Sequence, residues 1–286
     1  MMPILVGGLP GVLAHLDWVF LLGGGLTAAF YLFLLKWCVP SANPLKLTWT
    51  YLRDHATQTQ TLFYALMLFG IIFLDILETK YDDIITHYLR WDFSSLFLHV
   101  EGSAGELFQI IHFTGLTYVL SVVYLYVFPV IGVVAVLAAY HGGEKELGRK
   151  IFWAAIFNYV LILPFYILMP VSERWSVDGD VTLLMNQISP LLIEQLRPMS
   201  GLNNCFPSFH TSLAVSIALV LSRSANKRLR RTFYAITALV IYSTLYLGFH
   251  WVLDVFGGVL FASFCTLLAT WAVENLRLEL VFYRAR

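Results

Sequence analysis

Long apolar runs separated by short polar stretches dominate this chain. Such runs are long enough, or nearly so, to cross about 30 Å of hydrocarbon as helices. They cover residues 13–37, 60–77, 115–140, 150–170, 208–222, 231–248 and 251–274. This pattern predicts an all-α fold, a polytopic transmembrane helix bundle of about seven spans.

The composition supports a membrane class. Hydrophobic residues make up 59% of the 286 residues and charged residues only 13%, whereas soluble proteins average about 25% charged residues. A single water-soluble core cannot bury that much apolar mass. The formal net charge is zero, so nucleic acid is not an expected partner. Cys38, Cys205 and Cys265 have no metal-ligand spacing and are interpreted as packing residues.

Lysine and arginine are divided unequally between the loops on the two sides of the bundle. One set of loops, with the C-terminal tail, holds 14 of these 18 residues. The other set holds Lys80, Arg90, Arg174 and Arg197. The positive-inside rule places the richer set in the cytoplasm. The N-terminus is then outside and the C-terminus cytoplasmic, and residues 171–207 and the bend at His250 share the non-cytoplasmic face.

The segment 78–114 is long for a connection and mixes aromatic residues with charges. Two interpretations are open for it. It forms one or two helices lying in the membrane interface, or it is an ordinary outer loop.

Two histidine-containing stretches each lie where a polar loop meets an apolar run. The first, FPSFHTSLAV, contains His210, and the second, STLYLGFHWVLDVFGG, contains His250 and Asp254. A carboxylate four residues after a histidine lies on the same face of a helix. It fixes the imidazole tautomer and frees the other nitrogen as a nucleophile. The alternative is a local pair that only satisfies a half-buried polar group, but ionisable residues at membrane depth favour function.

The first stretch also carries signals for a helix start. Pro207 and Ser208 precede His210, and proline and serine are typical of the first helical positions. Free N–H groups there suit a phosphate oxygen, and His210 would protonate a leaving alkoxide as general acid. The outer loop before this stretch contains Arg174 and Arg197, which are candidates for bidentate phosphate binding. A lone interfacial histidine and solvated arginines are the alternatives.

These residues resemble the type-2 phosphatidic acid phosphatase superfamily of membrane lipid phosphatases and phosphotransferases. Its second motif is Pro-Ser-x-His, here Pro207 to His210, and its third ends in His-x-x-x-Asp, here His250 to Asp254. Residues 115–270 are similar to the inositol phosphorylceramide synthase branch. The similarity includes a span that ends in MPVSERW and the stretch FPSFHTSLA after it. The resemblance implies a six-helix transmembrane core, His250 as the nucleophile that forms a phosphohistidine, Asp254 as its orienting group and His210 as the acid.

The sequence departs from the family's phosphatase pattern in two places. The first motif usually has a lysine seven residues before Arg-Pro, but Pro190 stands at that distance from Arg197. The third motif usually opens with Ser-Arg, and here Ser243 and Thr244 occupy those positions. The same arginine is missing from the phosphotransferase branches. Phosphate binding is therefore expected from Arg174, Arg197, Ser208, Thr244 and backbone donors.

The sequence thus predicts an integral membrane enzyme that cleaves a phosphoester of a phosphorylated lipid. Residues 1–114 are expected to form N-terminal spans and the outer segment, and residues 115–286 one catalytic membrane domain. No metal or other cofactor is expected, because the motifs contain no metal-ligand spacing. The alternatives are a head-group phosphotransferase that uses a lipid alcohol, a lipid transporter with a proton relay, and an inactive lipid-binding family member.

Overall fold

A computed structural model describes residues 9–56, 88, 91–188 and 201–275. The described residues form helices without a β-strand, apart from one isolated parallel bridge between Val171 and Asn204. The helices are α1 (Leu9–Cys38), α2 (Pro44–Ala56), α3 (Ser94–Glu101), α4 (Thr114–His141), α5 (Lys145–Leu168), α6 (Arg174–Val177), α7 (Phe209–Leu221), α8 (Lys227–Tyr246) and α9 (Val252–Asn275). Two 3₁₀ segments, Gly102–Phe108 and Leu184–Gln187, lie in the connections.

The predicted all-α membrane fold is confirmed. Helices α4, α5 and α9 are each long and apolar enough to cross a membrane. Helix α7 and the part of α1 from Leu22 to Cys38 are shorter apolar helices. Helix α8 begins with the basic sequence KRLRR. The apolar run at 60–77 lies outside the described residues, so the number of spans stays a prediction.

Helix α7 packs against α5, α8 and α9. A chain of polar contacts runs through this packing: Asn158 of α5 donates to Ser216 Oγ at 2.9 Å, and Ser216 Oγ donates to the Ala262 carbonyl of α9 at 3.3 Å. Such hydrogen bonds between helices stabilise membrane bundles, where lipid gives no hydrophobic drive for association.

Gly258 permits a close approach between α9 and the start of α7. A Cβ atom at this position would lie 2.8 Å from the Ser208 carbonyl oxygen and 2.9 Å from Thr211 Cβ. Small residues are enriched at such helix contacts because they allow backbones to meet. The contact brings the beginning of α7 against the first turns of α9, which are the places of the two histidine motifs.

Helix α4 is irregular in its middle. Residues Val123–Val127 are π-helical, and a 3₁₀ turn with Pro129 follows over Phe128–Val130. Proline removes a backbone donor from a helix interior, and π-helical turns are frequent at functional sites. This irregular stretch faces the start of α7.

Helix α3 and the residues after it have one apolar face that is open. More than half of each of five side chains is exposed: Leu96, Val100, Leu107, Ile110 and Ile111. The opposite face is packed, with Ser94, Phe97 and Gly105 buried. An exposed apolar face on a short helix is typical of an element that lies in the membrane interface. The described part of segment 78–114 contains helical structure, and its position in the membrane interface stays a prediction.

Candidate active site

The bend between α8 and α9 presents His250. Gly248 has φ +88°, and a Cβ atom there would lie 2.6 Å from the Thr182 carbonyl oxygen. Only glycine adopts this conformation without strain. The Thr244 carbonyl accepts hydrogen bonds from the N–H groups of Phe249 and His250, both at 3.2 Å. The turn therefore fixes the backbone position of His250 before α9 begins.

Asp254 holds the His250 ring. His250 Nδ1 lies 3.1 Å from Asp254 Oδ2, and the Trp251 N–H donates to the same oxygen at 2.9 Å. Both side chains are buried. Helix α9 begins at Val252, so His250 lies just before the first turn and not within it. A hydrogen bond from Nδ1 to the carboxylate favours the tautomer in which Nε2 keeps its lone pair.

The start of α7 brings His210 to the same place. Ser208 caps the helix: its Oγ accepts from the Thr211 N–H at 3.3 Å. The Ser208 N–H donates to the Asp254 carbonyl at 3.0 Å and so joins the two motifs directly. The centroids of the His210 and His250 rings are 6.0 Å apart, with their planes inclined by 62°. The two imidazoles are thus close enough to face one small group from different sides.

Two aromatic side chains of the irregular part of α4 contact His210. The Tyr124 ring stacks on the His210 ring at 4.3 Å and on the Phe249 ring at 4.8 Å, and Phe128 lies 4.4 Å from His210. These contacts limit the orientations that the His210 ring can adopt. Sequence analysis missed Tyr124 and Phe128, although Pro129 within a predicted span was a signal of irregular helix at this point.

The guanidinium of Arg174 is engaged by the protein. Its Nε and Nη2 donate to Asp178 Oδ2 at 3.0 and 2.8 Å. Nη1 donates to Glu101 Oε2 at 2.5 Å and Nη2 to the Gly102 carbonyl at 2.7 Å. The side chain is 1% exposed, and its Cζ lies 4.7 Å from the centroid of the Trp251 ring. The proposed phosphate contact of Arg174 stays a prediction, while its described contacts hold the residue next to His250.

Helix α3 and the residues after it supply two further side chains that the sequence motifs do not indicate. Glu101 Oε1 accepts from the Leu253 N–H at 2.5 Å, and so satisfies a donor in the first turn of α9. Gln109 Nε2 donates to the carbonyls of Thr182 and Tyr246 at 2.8 and 2.9 Å, and its Oε1 accepts from the Thr182 N–H at 3.0 Å. Helix α3 and the residues after it therefore contact the backbone on both sides of the histidine bend.

The stretch 171–175 lies between the two motifs and bonds to both. On one side Val171 exchanges backbone hydrogen bonds with Asn203 and Cys205, at 2.9 and 3.1 Å. On the other side the N–H groups of Arg174 and Trp175 donate to the carbonyls of Phe249 and Gly248, both at 3.1 Å. This short run, which ends in the first residues of α6, sets the distance between the loop before α7 and the bend before α9.

The remaining predicted phosphate ligands have different positions. Thr244 is buried, and its Oγ1 donates to the Ile241 carbonyl at 2.8 Å. Ser208 is buried as the cap of α7. Arg197 lies outside the described residues. Phosphate binding by these residues stays a prediction.

One group of side chains has the donor types of a metal site. Cys205, His250 and Asp254 each offer one ligand atom, and these atoms all lie within 4.8 Å of one another. Sequence spacing gave no sign of this group, because Cys205 is distant from the other two residues along the chain.

A bundle of membrane helices with paired histidines and a carboxylate at one end is the arrangement of a membrane lipid phosphatase. The family model of the PAP2 superfamily matches residues 89–268, which is more than half of the chain. The chain therefore belongs to the PAP2 superfamily. The matched region begins before residue 115 and includes the outer segment with Glu101.

One solved structure is also similar. The crystal structure of Aquifex aeolicus LpxE shares 22% identity with the chain and has a TM-score of 0.46, over 58% of this chain and 92% of that chain. No curated protein matches the sequence.

Proposed function

We propose that the protein cleaves a phosphoester of a phosphorylated lipid by transferring the phosphoryl group to His250. The observation that carries this proposal is the buried His250–Asp254 pair, which faces the His210 ring at 6.0 Å. Membership of a superfamily of membrane lipid phosphatases is consistent with it. We place the site at the non-cytoplasmic face of the membrane, from the distribution of basic residues.

In the first half of the reaction His250 Nε2 attacks phosphorus. A bond forms between nitrogen and phosphorus, and the bond between phosphorus and the lipid oxygen breaks. His210 gives its proton to that leaving oxygen as general acid. Asp254 accepts the Nδ1–H of His250 throughout, which keeps the ring in position and stabilises the positive charge that develops on it.

In the second half the phosphoryl group leaves His250. His210, now deprotonated, takes a proton from the acceptor hydroxyl, whose oxygen attacks phosphorus. The nitrogen–phosphorus bond breaks, and both histidines return to their starting states. Backbone N–H groups at the start of α7 and the predicted ligands Arg174, Arg197, Ser208 and Thr244 would bind the phosphate oxygens.

One observation favours a phosphodiester donor and a lipid alcohol acceptor, as in the inositol phosphorylceramide synthase branch. Thr244 occupies a position where the phosphatase pattern has arginine, and the Arg174 guanidinium is bonded to Glu101 and Asp178. A phosphodiester carries one negative charge, whereas a phosphomonoester at neutral pH carries nearly two. Glu101 and Asp178 balance the charge of Arg174, so that a contact from its guanidinium adds little net positive charge. A site with less net positive charge holds the diester at a lower electrostatic cost.

An assay of the purified enzyme on a panel of lipids tests the proposal. The panel contains phospholipids, polyprenyl phosphates and sphingolipids, and both free phosphate and newly formed lipids are measured. We expect turnover of at least one of these lipids, inhibited by vanadate, which mimics pentacoordinate phosphorus. Phosphate released without an added lipid alcohol identifies water as acceptor, and product formed only with the alcohol identifies a phosphotransferase. A lack of both turnover and vanadate binding across the panel would contradict the proposal and support the inactive lipid-binding alternative.

The role of His210 has a separate test. Exchange of His210 for glutamine is expected to lower kcat by at least about 100-fold for a lipid substrate, because an alkoxide needs a proton to leave. A soluble aryl phosphate, whose leaving group departs unprotonated, should lose less than about tenfold. The exposed His112 provides the matched control, His112→Gln, which should change neither rate. Equal losses on both substrates would exclude His210 as the acid.

A further inference from the structure

Cys205, His250 and Asp254 come from three places in the chain and converge at the start of α9. Their ligand atoms lie within 4.8 Å of one another, and the three residues are 2%, 7% and 0% exposed. The Cys205 backbone is fixed by its hydrogen bond to Val171, and its Sγ lies 3.8 Å from the Phe249 carbonyl oxygen. The thiol is therefore held beside the nucleophile by the same backbone that positions His250.

The carboxylate has one oxygen that the described protein atoms do not satisfy. Asp254 Oδ2 accepts from His250 and Trp251, whereas Oδ1 is buried and has no hydrogen-bond partner among the described residues. A buried acceptor without a partner carries a desolvation cost, and in native proteins such atoms commonly mark a missing water or ion. This unsatisfied oxygen belongs to one of the three residues, and it is an indication of a ligand that is independent of the distances between them.

We propose that these three side chains bind a soft divalent cation such as Zn²⁺ or Cd²⁺, and that the bound cation inhibits the enzyme. Thiolate, imidazole and carboxylate are the protein ligands of zinc, and three of them with one water complete a tetrahedron. Ligand atoms in such a site lie about 3.5 Å apart, given metal–ligand bonds of about 2.0–2.3 Å. The three donors need to move by only about 1 Å to reach that geometry.

The donor set selects among cations. A thiolate is a soft ligand that favours zinc and cadmium. Magnesium and calcium prefer oxygen ligands in larger number, and this cluster offers a single carboxylate. We therefore expect no effect of Mg²⁺ at concentrations at which Zn²⁺ or Cd²⁺ is bound.

Binding removes the lone pair that His250 needs, whichever ring nitrogen is used. A cation on Nε2 occupies that lone pair directly. A cation on Nδ1 displaces the ring hydrogen to Nε2. Nε2 then has no lone pair with which to attack phosphorus. In both cases the Cys205 thiol releases its proton to solvent as it becomes the thiolate ligand. The inhibitory effect rests on the proposed function, whereas cation binding does not.

A cadmium titration of the purified, metal-stripped full-length protein measures binding without turnover. The thiolate-to-cadmium charge-transfer absorption in the ultraviolet is the signal. We expect one saturable site in the wild-type protein, and loss of the signal in Cys205→Ser and Cys205→Ala. Cys265→Ser is the matched control, a buried cysteine of α9 outside the cluster, and should keep the signal. His250→Ala should weaken binding by more than about tenfold, since even loss of an outer-shell partner has an effect of that order.

The outcomes separate the two proposals. A signal that persists in both Cys205 variants, or an unchanged affinity in His250→Ala, overturns the metal site even if the enzyme turns over lipid. A signal lost in the Cys205 variants, from a protein that shows no turnover with any lipid, upholds the site and overturns the function.

If the enzyme turns over lipid, Zn²⁺ should inhibit the wild-type protein, and a chelator should reverse the inhibition. Cys205→Ser should need at least about tenfold more Zn²⁺ for the same inhibition. Thermal unfolding of the Cys205 variants verifies that they fold.

Discussion

Replacement of His250 by alanine is expected to lower kcat on phosphorylated lipid by at least about 10⁴-fold, because it removes the atom that attacks phosphorus. The protein should still fold, since the backbone of the bend is held by Thr244 and by residues 171–175 and not by the imidazole. Stopped reactions with labelled substrate measure the effect. A phosphohistidine survives alkaline denaturation and is lost in acid, so label should remain on wild-type protein in base and be absent from the variant.

His99→Ala is the matched control for this experiment. His99 is an exposed histidine at the end of α3, and its replacement should leave both kcat and the trapped label unchanged. The His250→Ala protein should unfold at the wild-type temperature. If it then keeps a measurable fraction of activity, His250 is not the nucleophile.

Replacement of Glu101 by alanine is expected to lower the free energy of unfolding by about 1–3 kcal/mol, the usual effect of leaving a buried donor without its acceptor. Asp178 still pairs with Arg174, but Nη1 and the Leu253 N–H lose their acceptor. Glu101 is 5% exposed at its side chain and binds both the 1% exposed Arg174 and the Leu253 N–H. Reversible unfolding in mixed micelles, followed by tryptophan fluorescence, measures the change. Activity should fall as well, because the Arg174 guanidinium packs on the ring of Trp251, the residue that follows His250.

Two further variants isolate the cause of this loss. Glu106→Ala, in the 3₁₀ segment that follows α3, should change stability by less than about 0.5 kcal/mol, as is usual away from buried partners. Glu101→Gln should be more stable than Glu101→Ala, because its amide oxygen still accepts a hydrogen bond. If Glu101→Gln is no more stable than Glu101→Ala, the loss does not come from the hydrogen bonds of Glu101 to Arg174 and Leu253.

The local part of the site could be predicted from the sequence, because it depends on residues that are close together along the chain. The four-residue spacing of His250 and Asp254 predicted their contact, and the structure gives a hydrogen bond of 3.1 Å between them. Proline and serine before His210 predicted a helix start, and α7 begins at Phe209 with Ser208 as its cap. Length and hydropathy likewise predicted the helices, since each apolar run within the described residues is helical.

The long-range part could not be predicted in the same way. The charge of Arg174 predicts a phosphate ligand, which stays a prediction. Its described partners Glu101 and Asp178, one of which lies 73 residues away, could not be inferred from spacing. Cys205 has no spacing that links it to His250, and its proximity arises only when the stretch 171–175 bonds to both loops. Partner choice across a bundle depends on which faces pack together, and composition does not encode that.

At Gly258 the absence of a side chain allows α9 to approach the beginning of α7 closely. His210 lies in the first turn of α7, and His250 lies just before α9. A methyl group there would meet Ser208 and Thr211 at less than 3 Å. It would push the beginning of α7, with His210, away from α9, so a residue without a side chain helps to set the distance between His210 and His250.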